Sequence, residues 1–338
     1  MDENGNHGIL EFNTNSPGSL FLTSIARTIY EKLPCFQGKF DFSKKVVPQL
    51  IDDEEYFLEY LISFYQRVKQ TIKKPSIAYL ISKEYISSIL DRDIFLEIGK
   101  RMGLDVFVAD ISDLEYSKEV GLSYQGQTID FVWSKVLIRL GSENMFYSNE
   151  LNVESNKYFQ AIKDGKVFSL NSFHSSFVSE NKKTLALLYD KRFSHLFNNC
   201  QLEAIKQLVI PSYVLHSKDP NYYDLKSKVL SNKDLYVIKG SLSGRGKSIF
   251  IGCEMTQEEW EKKLEEVVDG PFMIQKFVKS KVSQVLSPFS RNYEEMVTTF
   301  GIYLLGGKTC GNMIRSSPNL ITNIHSSGLF QNFFVMEE

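Results

Sequence analysis

The residues best suited to chemistry cluster in Leu235–Gly252, LYVIKGSLSGRGKSIFIG. A short apolar strand ends in Lys239, a loop follows with Gly240, Gly244 and Gly246, and a second strand, SIFIG, closes it. Glycines let a backbone turn tightly and bring its N–H groups close to an anion. Lys239, Arg245 and Lys247 add positive charge on and beside the loop, so the hairpin is suited to cover nucleotide phosphates. The string GSLSGRGKS imitates the phosphate loop G-x-x-x-x-G-K-[ST], but five residues rather than four separate Gly240 from Gly246. That loop also needs a helix directly after it, whose N-terminus holds the phosphate, and here the β-like IFIG follows. A solvated Gly/Ser hairpin without a ligand is the plain alternative.

Two further groups could complete a nucleotide site. Glu11 and Asn13 fall on one face of the strand-like GILEFN, as two oxygen-bearing side chains suited to Mg²⁺. Gln275, Lys276 and Phe277 end a strand that follows a helix, where a hinge offers backbone hydrogen bonds to an adenine. Taken singly, a Glu and an Asn on a strand are more simply solvent-facing residues. The five histidines show no metal-ligand spacing. The four cysteines are scattered without a C-x-x-C pair, which suits reduced thiols in a cytoplasmic protein.

The 338 residues suffice for a large core or several subdomains, and 43% hydrophobic with 24% charged residues is ordinary for a globular chain. Lys+Arg 39 against Asp+Glu 41 leaves a formal charge of −2, so no global field favours nucleic acid or an anionic membrane. The polar, acidic start MDENGNHGIL reads as no signal peptide. No apolar run approaches the roughly 20 residues of a membrane span.

Elements that must position these groups follow from periodicity. The spacing predicts helices over 19–33 and 52–70, the second with Phe57, Leu58, Leu61, Phe64, Tyr65 and Val68 as its stripe. Strands at 76–82 and 105–110 around a helix at 91–102 predict a parallel βαβ unit. A hairpin is expected from Val120–Tyr124 through Thr128–Leu140, then helices at 153–163, 180–188 and 202–208 with a strand at 167–171. The last third is β-rich: Thr256 and Glu259 form a capping box before a helix to Val268, FMIQKFV is a strand, and 295–317 reads as two strands joined at Gly306-Gly307. The whole reads as α+β with mixed sheets.

The order of these motifs resembles the circularly permuted ATP-grasp proteins, in particular those similar to the synthetase domain of glutathionylspermidine synthase. The family's L-E-[FY]-N-A-D-[ST]-P looks like LEFNTNSP (10–17), and its hairpin ending in I-D-x-V-Y looks like the stretch closing at TIDFVW (128–133). Its N-K-A-x-L-x-L-L looks like NKKTLALL (181–188), and its K-P-x-x-G-R-x-G looks like KGSLSGRGKS (239–248). Its hydrophobic-Q strand looks like MIQKF (273–277), and its G-G-x-x-x-G-x-x-x-R looks like GGKTCGNMIRSS (306–317). The resemblance runs nearly end to end.

It implies an ATP-grasp fold with a small βαβ subdomain: metal-ligand strand and helices in 1–70, the βαβ unit in 71–150, and nucleotide-binding lobes with a hairpin lid in 151–338. It implies Lys182 and Lys239 on ATP phosphates, and Ser243, Gly244, Arg245, Gly246 and Lys247 as lid, with Arg245 near the transferred phosphoryl group. Gln275, Lys276 and Phe277 would be around the adenine, Glu11 and Asn13 would be metal ligands, and Arg315 would neutralise phosphate charge late in the reaction. ATP and Mg²⁺ are the implied cofactors, and a small-molecule carboxylate and an amine the implied partners, in a monomer or an oligomer.

Two departures stand beside this. The family carries R-x-D on a strand before E-x-N, whereas here only Met1 precedes the turn DENGN, so the N-terminal part of the fold is expected to be missing. Gly240 replaces the family's proline, and Ser134-Lys135 stands where many relatives have paired arginines. The expected function is an ATP- and Mg²⁺-dependent carboxylate–amine ligase. The alternative is a truncated or degenerate domain that binds nucleotide or a partner without catalysis.

Overall fold

The computed structural model describes residues 5–14, 20–35, 37, 54–81, 90–134, 156–171, 178–243, 248–322 and 328–331. Among these, no helix is long and apolar enough to cross a membrane. The turn at 2–4 and the lid residues Gly244, Arg245, Gly246 and Lys247 lie outside the described residues.

α1 (Leu22–Lys32) and α2 (Tyr56–Lys69) come first. On α2 the apolar stripe is buried at Phe57, Leu58, Leu61 and Tyr65, while Val68 at its end is exposed. β1 (Ile77–Leu80), α3 (Leu90–Arg101) and β2 (Val106–Ala109) then form a parallel βαβ unit. Asp91 and Asp93 in the first turn of α3, with Lys100 and Arg101 in its last, match the helix dipole at both ends.

The hairpin expected over 120–140 is smaller than its spacing suggests. β3 (Glu115–Ser117), β4 (Gly121–Tyr124) and β5 (Gln127–Thr128) make a short antiparallel sheet turned at Gln125 and Gly126, both at positive φ. β6 (Phe131–Ser134) leaves that sheet and pairs with β1 in parallel. Its run Phe131, Val132, Trp133 is buried on both faces, as a strand inside a parallel sheet requires. After α4 (Lys157–Lys163), β7 (Phe168–Leu170) completes a four-stranded parallel sheet in the order β2-β1-β6-β7.

Alternation along these strands splits two cores. Ile77, Tyr79, Phe131 and Trp133 face α2 and α3, while Ala78, Leu80 and Val132 face α4 and the small hairpin sheet. On the first side, Tyr79 stacks on Trp133 at 4.3 Å and Phe57 meets the same indole edge-on at 4.9 Å.

α5 (Lys183–Tyr189), α6 (Asn199–Leu208), β8 (Ser212–Tyr213) and α7 (Tyr222–Ser231) lead to the second sheet. α6 starts earlier than its apolar spacing indicates, because Asn198 and Gln201 form a capping box. α7 is not legible in the sequence: Asn221 makes no side-chain cap and Val229 alone is fully buried. β9 (Tyr236–Gly240), β10 (Ile249–Ile251), α8 (Gln257–Val267) and β11 (Phe272–Lys276) follow, with the antiparallel order β10-β9-β11-β8. The Thr256/Glu259 capping box is present, and Trp260, Leu264 and Val267 of α8 pack on Tyr236, Ile238 and Ile274.

A third sheet contains β12 (Val282–Leu286), β13 (Tyr293–Leu305), β14 (Lys308–Ser317) and β15 (Leu329–Gln331). Its central hairpin turns at Gly306-Gly307, both at positive φ, as the sequence indicates. β12 escapes sequence reading because four of its five residues are exposed, so no alternation marks it.

Gly252, the last residue of the hairpin stretch, supports the strand carrying Lys239. A Cβ on Gly252 would stand 2.0 Å from the Lys233 carbonyl oxygen, where the short turns flanking β9 and β10 cross. Gly252→Ala is therefore expected to destabilise the fold by about 1–3 kcal/mol through backbone overpacking, measured by denaturant unfolding.

Candidate active site

The same alternation that builds the second core leaves a polar face. In β9, Tyr236 and Ile238 point toward α8, so Val237 and Lys239 point the other way; in β11, Met273 and Gln275 share that side. Lys239 is only 7% exposed, and its ammonium donates to Gln275 Oε1 at 2.6 Å. The two are diagonal neighbours across the β9–β11 pair, within reach of long side chains. Gln275 also donates through Nε2 to Ser212 Oγ at 3.1 Å, and Ser212 donates to the Ile210 carbonyl at 2.8 Å. This chain of donors fixes the amide so that its oxygen faces Lys239.

The segment carrying Glu11 lies against this face, anchored at both ends. Ile9 makes a parallel bridge with Val209, its N–H donating to the Leu208 carbonyl at 2.7 Å. At the other end Thr14 donates its N–H to Glu180 Oε2 at 2.6 Å, and Asn171 donates to the Thr14 carbonyl at 2.6 Å. In between, the Leu10 carbonyl faces both Lys239 Nζ and Gln275 Nε2 at long contacts of 3.5 Å. The segment is extended yet pairs through one bridge only, less than the strand its alternation suggests.

Lys182, just before α5, ties this segment to the glycine hairpin. Its backbone N–H donates to the Ser241 carbonyl at 2.7 Å and its ammonium donates to the Ser243 carbonyl at 2.6 Å. The ammonium also pairs with Glu11 Oε2 at 3.3 Å. The hairpin closes where Gly240 N–H donates to the Ser248 carbonyl at 2.8 Å. That bond excludes the proline of the resembling family, which has no N–H to donate, and a Cβ here would stand 2.8 Å from Ser243 Oγ, which favours glycine.

Electrostatically the site is rich in positive charge. Burial, reinforced by the nearby Lys182 ammonium and only partly offset by Glu11, pulls the Lys239 ammonium down to about 8. For Glu11, burial acts to raise the carboxyl, but Lys182, Lys239 and the hydrogen bonds from Asn13 and Lys182 outweigh it and hold it below the ordinary range. Glu11 is thus ionised, partly exposed at 31%, and adjoined by Asn13, which donates to Glu11 Oε1 at 3.3 Å. Two ammonium groups against one carboxylate leave room for an anion.

Among the described residues no group of three or more His, Cys, Asp or Glu gathers around a metal position. One ionised carboxylate with an amide beside it is nonetheless a fitting protein share for Mg²⁺, which keeps waters and takes substrate phosphates as its remaining ligands.

No protein-family model matches the chain, and neither does any curated protein sequence. Among solved structures, the chain aligns with a glutathione synthetase-like effector from Globodera pallida, in its apo form, at TM-score 0.60. That alignment covers 96% of this chain and 70% of the other at 13% identity. The fold is of the ATP-grasp type. D-alanyl-alanine synthetase A from Vibrio cholerae aligns more loosely, at TM-score 0.44 and 14% identity over 79% of this chain and 77% of that one. The ATP-grasp ligase PsnB, complexed with minimal precursor, does so at TM-score 0.41 and 13% identity over 76% and 89%.

In this ATP-grasp fold, Glu11, Asn13, Lys182, Lys239, Ser243 and Gln275 gather within one network of contacts. Gln275 turns its side chain inward to Lys239 and Ser212. At the end of β11, the N–H of Lys276 donates to the Pro211 carbonyl and that of Phe277 to the Leu235 carbonyl, both at 2.8 Å. Arg315 lies on the third sheet, opposite Thr299 of β13, and no described contact joins it to the Lys182–Lys239 network. Ser212 and the Leu10 carbonyl take part without any sequence signal. Ser212 sits in a two-residue strand, and a backbone carbonyl has no residue type to read.

Proposed function

We propose that this chain is an ATP- and Mg²⁺-dependent carboxylate–amine ligase, permuted in motif order and similar in kind to the glutathionylspermidine synthetase domain. The observation that carries this reading is the convergence of Lys239 with the Glu11 segment across 229 residues of sequence, beside a second buried lysine that holds the glycine hairpin. Lys182 and Lys239 would bind ATP phosphates, and their fixed, buried positions would stabilise the charge that develops on the transferred phosphoryl group. Glu11 and Asn13 would hold Mg²⁺, whose chemistry when bound is to draw charge from phosphate oxygens. The hairpin from Ser243 to Lys247, with Arg245, would cover the phosphates and exclude water from an acyl phosphate. Lys276 and Phe277 would border the adenine, and Arg315 would take up phosphate charge as the amine displaces phosphate. In this reading 1–70 supplies the metal ligands, 71–150 the βαβ subdomain and 151–338 the nucleotide lobes.

The test is ADP release from Mg-ATP, measured with and without pooled carboxylic acids and amines. Release that needs both pools supports ligation. Release with the acids alone would indicate a kinase that stops at phosphoryl transfer, and binding of ATP without any release would overturn the enzyme reading.

A further inference from the structure

Past Ile9, the segment that carries Glu11 and Asn13 pairs with no strand among the described residues, so something other than a sheet ladder sets its path. That path is fixed at Thr14, whose N–H, carbonyl and hydroxyl are all taken by side chains. Glu180 Oε2 accepts from the N–H at 2.6 Å, Asn171 Nδ2 donates to the carbonyl at 2.6 Å, and the hydroxyl meets Ser179 Oγ at 2.8 Å. The hydroxyl also reaches Glu180 Oε2 at 3.4 Å, so one carboxylate oxygen faces two donors of the same residue. Hydrogen bonds to a carboxylate are shorter and roughly twice as strong as those between neutral groups.

Asn171 and Glu180 stand 157 and 166 residues from Thr14 in the chain, so only the fold brings them there. Asn171 follows β7, the edge of the parallel sheet, and sits at φ 48°, a left-handed conformation that asparagine tolerates and glycine adopts freely. Glu180 precedes α5 and is two residues from Lys182, whose ammonium pairs with Glu11 Oε2 at 3.3 Å and donates to the Ser243 carbonyl at 2.6 Å. Residues 179–182 therefore hold the Glu11 segment at both Thr14 and Glu11, and hold the glycine hairpin as well. Asn13 lies between the two points of attachment, exposed, and donates to Glu11 Oε1 at 3.3 Å. With both flanks tied, the backbone that carries the Asn13 amide loses most of its freedom before any ligand arrives.

We infer that Glu180 and Asn171 are positioning residues for a divalent cation at Glu11 and Asn13: neither touches the cation, and both act by fixing Thr14 and so the Asn13 beside it. The inference rests on the ligase reading for the metal role of Glu11 and Asn13. Groups that hold a metal ligand in place typically contribute about ten- to hundred-fold in affinity, because a ligand free to wander must be ordered each time the ion binds. Glu180 acts through its hydrogen bond rather than its charge, since the Thr14 N–H is what its oxygen meets.

The test is Mn²⁺ binding to the full chain without nucleotide, read from the electron-spin signal of the free ion, with metal-free ATP binding read in parallel. Glu180→Ala and Asn171→Gly should each weaken Mn²⁺ binding about ten- to hundred-fold. Asn171→Gly removes the donor yet suits a backbone at φ 48°, so it should melt close to the unaltered protein. Glu180→Gln keeps an oxygen for the Thr14 N–H and should restore most of the affinity lost in Glu180→Ala. In an Asn13→Ala background, Glu180→Ala should cost little more, because a residue that acts through another loses its effect with it. Equal losses in Glu180→Gln and Glu180→Ala would show that the charge itself matters, and a fully additive loss beside Asn13→Ala would show that Glu180 acts elsewhere; either overturns the inference. A lowered melting temperature with unchanged Mn²⁺ binding would reduce the Thr14 contacts to a structural role and overturn it too. Retained ATP binding with Mn²⁺ unbound, or bound equally by every variant, defeats this inference and leaves the ligase reading standing, whereas a chain that binds neither defeats both.

Discussion

Lys239→Met is expected to weaken ATP binding by roughly 100-fold, since a hydrogen bond to a charged group contributes about 1.5–3 kcal/mol and each 1.4 kcal/mol is tenfold. The effect should be large because this ammonium is buried and fixed by Gln275 at 2.6 Å rather than mobile in solvent. It should also depend on pH. The Lys239 ammonium titrates near 8 in the folded chain, so the charge is present below that value and lost above it. ATP affinity of the unaltered protein should therefore fall as pH rises from 7 to 9, and Lys239→Met should lack that step. Stability runs the other way. Between about 8 and the ordinary lysine value the unfolded chain holds a proton that the folded chain has released, so this residue's contribution to stability rises with pH. Calorimetric titration at several pH values, with denaturant curves beside it, separates the two signs. Unchanged affinity in Lys239→Met would defeat the nucleotide assignment.

Glu11→Gln should act on turnover and on stability by separable routes. It keeps the shape of the side chain and an oxygen for Asn13, but removes the only negative charge described against the Lys182 ammonium. A buried charge stripped of its partner typically costs 3–5 kcal/mol; Glu11 is 31% exposed and water screens the pair, so about 1–2 kcal/mol is expected. Turnover should drop further, by about two orders of magnitude, as it does when one preorganised charge-stabilising group is lost from an active site. Raising Mg²⁺ should recover part of the turnover and none of the stability if Glu11 is a metal ligand. Full turnover at ordinary Mg²⁺ would remove Glu11 from the metal site.

How far the sequence speaks depends on whether a feature is local. The Thr256/Glu259 cap, the Gly306-Gly307 turn and the α2 stripe depend on residues within a few positions of one another, and all are legible from residue types and spacing. The switch of β6 from hairpin to parallel sheet is not legible, because an apolar run such as Phe131–Trp133 suits either partner and only burial from both sides decides it. α7 and β12 are hidden for the opposite reason: they bury too little to leave a pattern.

The candidate site divides in the same way. By residue type and order, the sequence alone singled out a lysine, a glycine hairpin and an acid–amide pair as the groups expected to act together. The tertiary structure alone decided that Gln275 faces Lys239, that Ser212 orients that amide, and that Leu10 offers a carbonyl to both. It alone also brought Asn171 and Glu180 to Thr14. Hydrogen-bond partners across sheets depend on register and burial, which emerge only when distant strands pair. The glycine hairpin that stands out first in the sequence is therefore the part least in need of the fold, and the lysine at its base the part that needs it most.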